Sequence, residues 1–305
     1  MTAAVLVAGL LGAGFLAGCG PTTVAGPAPG GRVRVVAAEN QYGDVASQIG
    51  GQYVAVRSVV QDPNTDPHTY EVSPKIAAAV DTAAVVIQNG LGYDSFMNTI
   101  EAASARPGRR VIVAQKLLHL PGDTANPHLW YDPRTMPLVA AALASDLSAL
   151  QPDRAGYFSA NLARFDASLD PWRVALAQLG AARPGFAVAA TEPVAGYLVQ
   201  AAGGVVLTPM SFQTDIMNGV DPPPQGVTLE RDLLVHRRVA ALVYNRQVTD
   251  SVTAGFVSEA RAAGVPVVAA YETMPEPGYD YQSWMLAETR ALTRAVTAGQ
   301  STGTL

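Results

Sequence analysis

The chain of 305 residues reads as an α/β protein: two βα lobes with parallel-type sheets, joined by a long helix. Three observations predict this. Short β-branched runs alternate with helical spacings from residue 32 onward, and the alternation resumes after residue 185, the pattern of βαβ units with helices on both sheet faces. Between the two series, residues 153–180 carry an Ala/Leu-rich helical period with no strand signal. The composition, 49% hydrophobic and 15% charged, suffices for one large or two medium cores and excludes general disorder. The net charge is −5 with no long run of Lys or Arg, so the sequence predicts no nucleic-acid partner.

Residues 1–18 hold an uncharged apolar stretch too short to span a bilayer comfortably, with the length of a secretory signal's hydrophobic core. It ends in Leu16-Ala17-Gly18-Cys19, which resembles the lipobox of bacterial lipoproteins. That resemblance implies a lipidated Cys19 as the mature N-terminus and acyl anchoring outside the cytoplasmic membrane. Cys19 is the only cysteine, so an intrachain disulfide is excluded. Residues 19–31 are rich in Gly, Pro and Thr without periodicity and read as a flexible tether.

The first lobe is expected over 32–152. Its strands are read at 32–38, 54–60, 83–88 and 110–114. Its helices fall at 42–49, 74–80 and 95–103, where Gly50-Gly51 stops the first and Ser73-Pro74 opens the second as N-cap and first-turn proline. Helical stretches follow at 134–150 and 153–179, the second bent at Pro171. The second lobe, 181–305, has strands at 187–190, 205–207, 240–244 and 265–270, with helices at 193–202, 229–237, 253–263 and 281–297. The proline-dense segment 215–225 fits neither series.

Two loops carry the chemistry. His68 stands in Asp62-Pro-Asn-Thr-Asp-Pro-His-Thr-Tyr-Glu-Val-Ser-Pro74, and His128 in Asn126-Pro-His-Leu-Trp-Tyr-Asp-Pro133. Each histidine directly follows a proline, whose ring fixes φ and steers the residue before it toward an extended conformation. Two such histidines too far apart for a local finger converge only through the fold, and the pattern points to a metal site. Nitrogen and carboxylate donors suit borderline divalent ions such as Zn, Mn and Fe. The sequence contains no G-x-S-x-G, H-E-x-x-H, P-loop or Rossmann glycine triplet, so an enzyme reading lacks its residues. His119 and His236 read as structural or solvent-facing.

With these residues in hand, the chain resembles the zinc- or manganese-binding lipoproteins of bacterial ABC importers. The resemblance rests on Gly50-Gly51, the His68 loop, Ile87-Gln-Asn-Gly-Leu-Gly92, the His128 segment, Thr191-Glu192 with Tyr197, and 278–285. It implies one divalent transition metal ion as cargo, Zn2+ or Mn2+ with Fe2+ admissible, and a membrane permease as partner. It also implies His68 and His128 as ligands from the first lobe, with Glu192 and Asp280 from the second. Asp280 competes with Glu272 and Glu276 in the same loop. The family often has histidine where Glu192 stands, and this chain lacks the His/Asp-rich loop of many zinc-specific members, since 106–126 contains only His119. An exported metalloenzyme and an adhesin-like surface protein are the competing functions.

Overall fold

The computed structural model describes residues 1, 31–62, 73–248, 250–275 and 277–305. The signal and tether expected over 2–30, Cys19, His68 and Glu276 lie outside the described residues.

The first lobe is built on β1 (Val33–Glu39), β2 (Val54–Val60), β3 (Val85–Gln88) and β4 (Arg110–Val113), all parallel, in the order β2-β1-β3-β4. The second uses β5 (Ala187–Ala190), β6 (Val205–Val206), β7 (Ala241–Asn245) and β8 (Val267–Ala270) in the order β6-β5-β7-β8, again parallel. The two lobes therefore repeat one topology, with the first and third strands side by side. In such sheets ligands collect beyond the strand C-termini, where neighbouring strands send their connections to opposite faces.

The helices bury one stripe each. In α1 (Asn40–Gly50) Tyr42, Val45, Ala46 and Ile49 recur at helical spacing and are all buried against the first sheet. The helix ends as the glycine pair predicts, and Gly51 takes φ 52°, a conformation that a side chain disfavours. α2 (Pro74–Thr82) starts on Ser73, whose side chain accepts from Ile76 N. α3 (Ser95–Ala103), the short α4 (Ala114–Leu117) and α5 (Thr135–Leu150) complete the first lobe.

The long connecting helix is two helices. α6 (Ala155–Ser168) and α7 (Asp170–Ala182) meet at Leu169, and Pro171 sits in the first turn of α7, where its missing N–H is harmless. The proline thus starts a new helix rather than bending an old one. In the second lobe α8 (Gly196–Ala201), α9 (Met210–Met217), α10 (Pro224–Val235), α11 (Ser251–Ala263) and α12 (Tyr281–Ala298) surround the sheet. The unexplained segment 215–225 completes α9, turns through Gly219 at φ 65° and enters α10 with Pro223 and Pro224 at its cap and first turn. One continuous hydrophobic cluster runs from Val33 through Trp130 and Trp172 to Val296, crossing both lobes, while a smaller one packs under α2 and α3.

A candidate metal centre between the lobes

His128 follows α4 and is fully buried. Its segment is held from below by Asn89, at the end of β3, whose Nδ2 donates to Pro127 O at 2.8 Å. Asn126 sets the ring. Its Nδ2 donates to Pro193 O at 2.8 Å, which leaves Oδ1 facing His128, where it accepts from the backbone N at 3.0 Å and lies 2.9 Å from Nδ1. An amide oxygen only accepts, so Nδ1 carries the proton, and in the neutral ring Nε2 presents the lone pair. This is the arrangement that orients a ligating imidazole. Tyr93 and Trp130 stand edge-on to the ring, with centroids 5.7 and 5.3 Å away, and fix its plane.

Nε2 of His128 points at Glu272 Oε1, 3.7 Å distant across the lobe boundary. Two donors sharing one ion at about 2.1 Å each lie no more than about 4.2 Å apart, so this separation suits a common metal. Glu272 is fully buried, two residues beyond the end of β8. Its Oε2 accepts from Tyr93 OH at 3.0 Å and its Oε1 from Asn245 Nδ2 at 2.6 Å. The same Asn245 Nδ2 donates to Glu192 Oε2 at 3.0 Å. Glu192, 2% exposed, lies two residues beyond β5. The register explains the convergence: Ala190 pairs with Val243 and Asn245 with Ala270, so residue 192 comes level with residue 245 on the strand between β5 and β8.

The structure therefore brings His128 to Glu272, one of the alternatives read in that loop, and links Glu192 to Glu272 through the Asn245 amide. Asp280 is the N-cap of α12. Its Oδ1 accepts from Ser283 N at 2.9 Å and from Ser283 Oγ, while Ser283 Oγ accepts from Asp280 N, a reciprocal capping box. A carboxylate engaged in this way at a helix start is explained by the helix alone. His119 is exposed, and His236 sits at the end of α10, 3.3 Å from Asp232. Among the described residues, no three His, Cys, Asp or Glu side chains converge closely enough to hold an ion by themselves.

The lobes are also tied by uncharged side chains. Asn40 donates to Met274 O at 2.8 Å and accepts from Met274 N at 3.1 Å. Gln41 donates to Glu272 O at 3.3 Å, Tyr131 OH to Tyr271 O at 2.9 Å, and Tyr197 OH to Asn126 O at 3.0 Å. Sequence reasoning missed Asn40, Gln41, Tyr93, Tyr131 and Asn245. The one available signal was position, since Asn40 and Asn245 each stand at a strand's C-terminal end.

Comparison with known proteins shows the fold and the family. A manganese-binding lipoprotein, MntA, of Bacillus subtilis is 29% identical over 182 residues, covering 55% of this chain and 57% of the relative. The manganese ABC transporter substrate-binding lipoprotein PsaA of Streptococcus mitis is 24% identical over 47% of this chain and 50% of its own length. The chain thus matches about half the length of these relatives. The structure of the binding protein FpvC of Pseudomonas aeruginosa with Mn2+ superimposes with a TM-score of 0.71 at 22% identity, over 88% of this chain and 99% of that one, and a crystal structure of ZnuA gives 0.69 at 21% identity, over 86% and 98%. At that identity the likeness shows the two-lobed fold. The family model described as zinc-uptake complex component A, periplasmic, matches residues 35–295, and the chain belongs to that family.

Proposed function

We propose that the protein is the extracytoplasmic solute-binding component of an ABC importer, capturing one divalent transition metal ion, zinc or manganese, and delivering it to a membrane permease. The observation that carries this reading is the approach of His128 Nε2 to the buried Glu272 carboxylate across the lobe boundary, with buried Glu192 held on the same Asn245 amide as Glu272. His68 is the fourth donor in this reading, and Glu272 takes the place that the sequence offered to Asp280. The chemistry is that of capture rather than turnover: four protein donors leave no open coordination position of the catalytic kind. Two carboxylates offset the ion's double charge, so the loaded site buries no net charge. Relatives named as manganese-binding lipoproteins support the cargo class. Borderline donors with no thiolate disfavour soft-metal cargo.

The test is elemental analysis of the protein purified without added metal, followed by titration with Zn2+ and Mn2+. One equivalent of a transition ion, bound far more tightly than Mg2+ or Ca2+, is expected. Binding should weaken as the pH falls through about 6.5, because a ligating imidazole must be neutral. A protein that takes up neither ion overturns the reading.

The anchor is a separate proposal, resting on Leu16-Ala17-Gly18-Cys19. Labelled fatty acid should enter the wild-type chain, and Cys19→Ala should abolish the label and leave the leader unprocessed. Equal labelling of both chains would remove Cys19 as the acylation site.

A further inference from the structure

We propose that Asn245 is a positioning residue that assembles the second lobe's half of the metal site by holding the Glu192 and Glu272 carboxylates on one amide. The inference rests on the metal-capture reading above and deepens it.

Asn245 is the last residue of β7, the strand that lies between β5 and β8, and it is 1% exposed. The orientation of its amide is determined from both sides. Oδ1 accepts from Gln247 N at 3.0 Å, so Nδ2 faces the cleft, where it reaches Glu192 Oε2 at 3.0 Å and Glu272 Oε1 at 2.6 Å. The NH2 group has two protons, one for each acceptor. Gln247 extends the arrangement, with its Oε1 accepting from the backbone N of both Glu272 and Thr273.

The physical need is plain. Two carboxylates brought onto one ion repel each other before it arrives, and burial strengthens that repulsion. A neutral donor placed between them offsets it without adding a charge that would compete with the ion. A lysine or arginine there would occupy the same oxygens and repel the cargo. An aspartate would add a third like charge. An amide alone satisfies both conditions, and because donors held in place lose less freedom on binding, affinity rises. Asn245 Nδ2 is committed to the two glutamates, so its effect passes through them.

The test uses the full-length chain and a double-mutant cycle. Asn245→Leu removes the donor at similar size, and Asn245→Ala does so with less bulk should leucine disturb β7. The competition Kd for Zn2+ or Mn2+ is expected to rise at least ~10-fold in either variant, since about 1.4 kcal/mol, within the worth of one hydrogen bond to a charged group, is tenfold. The visible spectrum of the Co2+-loaded protein should change with it. In a Glu192→Gln background, where one of the two charges is already gone, adding Asn245→Leu should raise Kd by less than about half as much in log units, the non-additivity of groups that act as one. A role in packing alone predicts additive losses and an unchanged Co2+ spectrum, and either result overturns the proposal. Wild-type protein that binds no transition metal overturns the metal-capture reading itself. Tight wild-type binding with Asn245→Leu and Asn245→Ala both within twofold overturns only the role of Asn245.

Discussion

Replacing Glu272 by Ala is expected to weaken Zn2+ or Mn2+ binding by about 150- to 4,000-fold, the equivalent of the roughly 3–5 kcal/mol lost when one partner leaves a buried charge pair. Replacing Asp280 by Ala should leave affinity within about threefold, because its bonds remain inside the capping box of α12. The effects on stability should be reversed. Asp280→Ala removes a helix cap worth about 1 kcal/mol and should lower the melting temperature of the metal-free protein by a few degrees. Glu272→Ala removes a carboxylate from a crowded acidic site and should lower it little or raise it. Calorimetric titration with parallel thermal melts separates the two. If Asp280→Ala abolished binding while Glu272→Ala spared it, the assignment of the second-lobe donor would be wrong, and the cap geometry would have misled.

The second large effect concerns pH. Glu288, on the buried face of α12, accepts from Tyr131 OH at 3.0 Å and Trp284 Nε1 at 3.2 Å, and burial raises its carboxyl from 4.5 to about 8. A carboxyl raised in the folded state is held protonated there. Its stabilising contribution is complete below about 4.5 and is lost as the pH rises through about 8. Glu230, raised to about 7, and Asp94, raised to about 6, both mainly by burial, act in the same direction. The metal-free protein should therefore lose stability steadily from pH 5 to pH 9, by an amount on the order of a few kcal/mol, since a tenfold change in proton affinity on folding corresponds to about 1.4 kcal/mol. Glu288→Gln keeps an acceptor for the tyrosine and the indole but has no proton to lose. It should flatten the upper part of the curve and make the variant the more stable chain at pH 9. Urea midpoints at five pH values would decide it, and parallel curves for the two proteins would show that Glu288 does not carry the dependence.

The strands were legible because a parallel sheet buried on both faces favours short β-branched runs such as Val35–Val36 and Val85–Ile87, which recur between helical spacings. The division at Leu169 was half legible: Pro171 marks the place, but a first-turn proline and a kinking proline look alike until the preceding turn is seen. His128 and Glu192 stood out as candidates because each stands in a local phrase, Asn-Pro-His and Thr-Glu before a helix. Glu272 could not be separated from Asp280. Acidic residues in one loop differ in role only through what surrounds them, here a capping serine three residues after Asp280 and a strand register that brings Glu272 beside Asn245. Asn245 and Asn40 were illegible for a related reason: an amide's two ends look the same in a sequence, and only the fold determines which end faces a carboxylate, as in Asn245, or a peptide group, as in Asn40.

The ties between the lobes from Asn40, Gln41 and Tyr197, and that from Tyr131 to Tyr271 O, end on main-chain groups of the partner segment, and none of these bonds involves a charge. Screening by dissolved salt acts on ions, over a distance of about 8 Å at physiological strength, and does little to buried neutral hydrogen bonds. These ties should thus be indifferent to ionic strength. They should also tolerate side-chain drift at Tyr271 and Met274, whose contribution to these ties is only their peptide groups. The sequence of that seam can diverge widely while the cleft keeps its width.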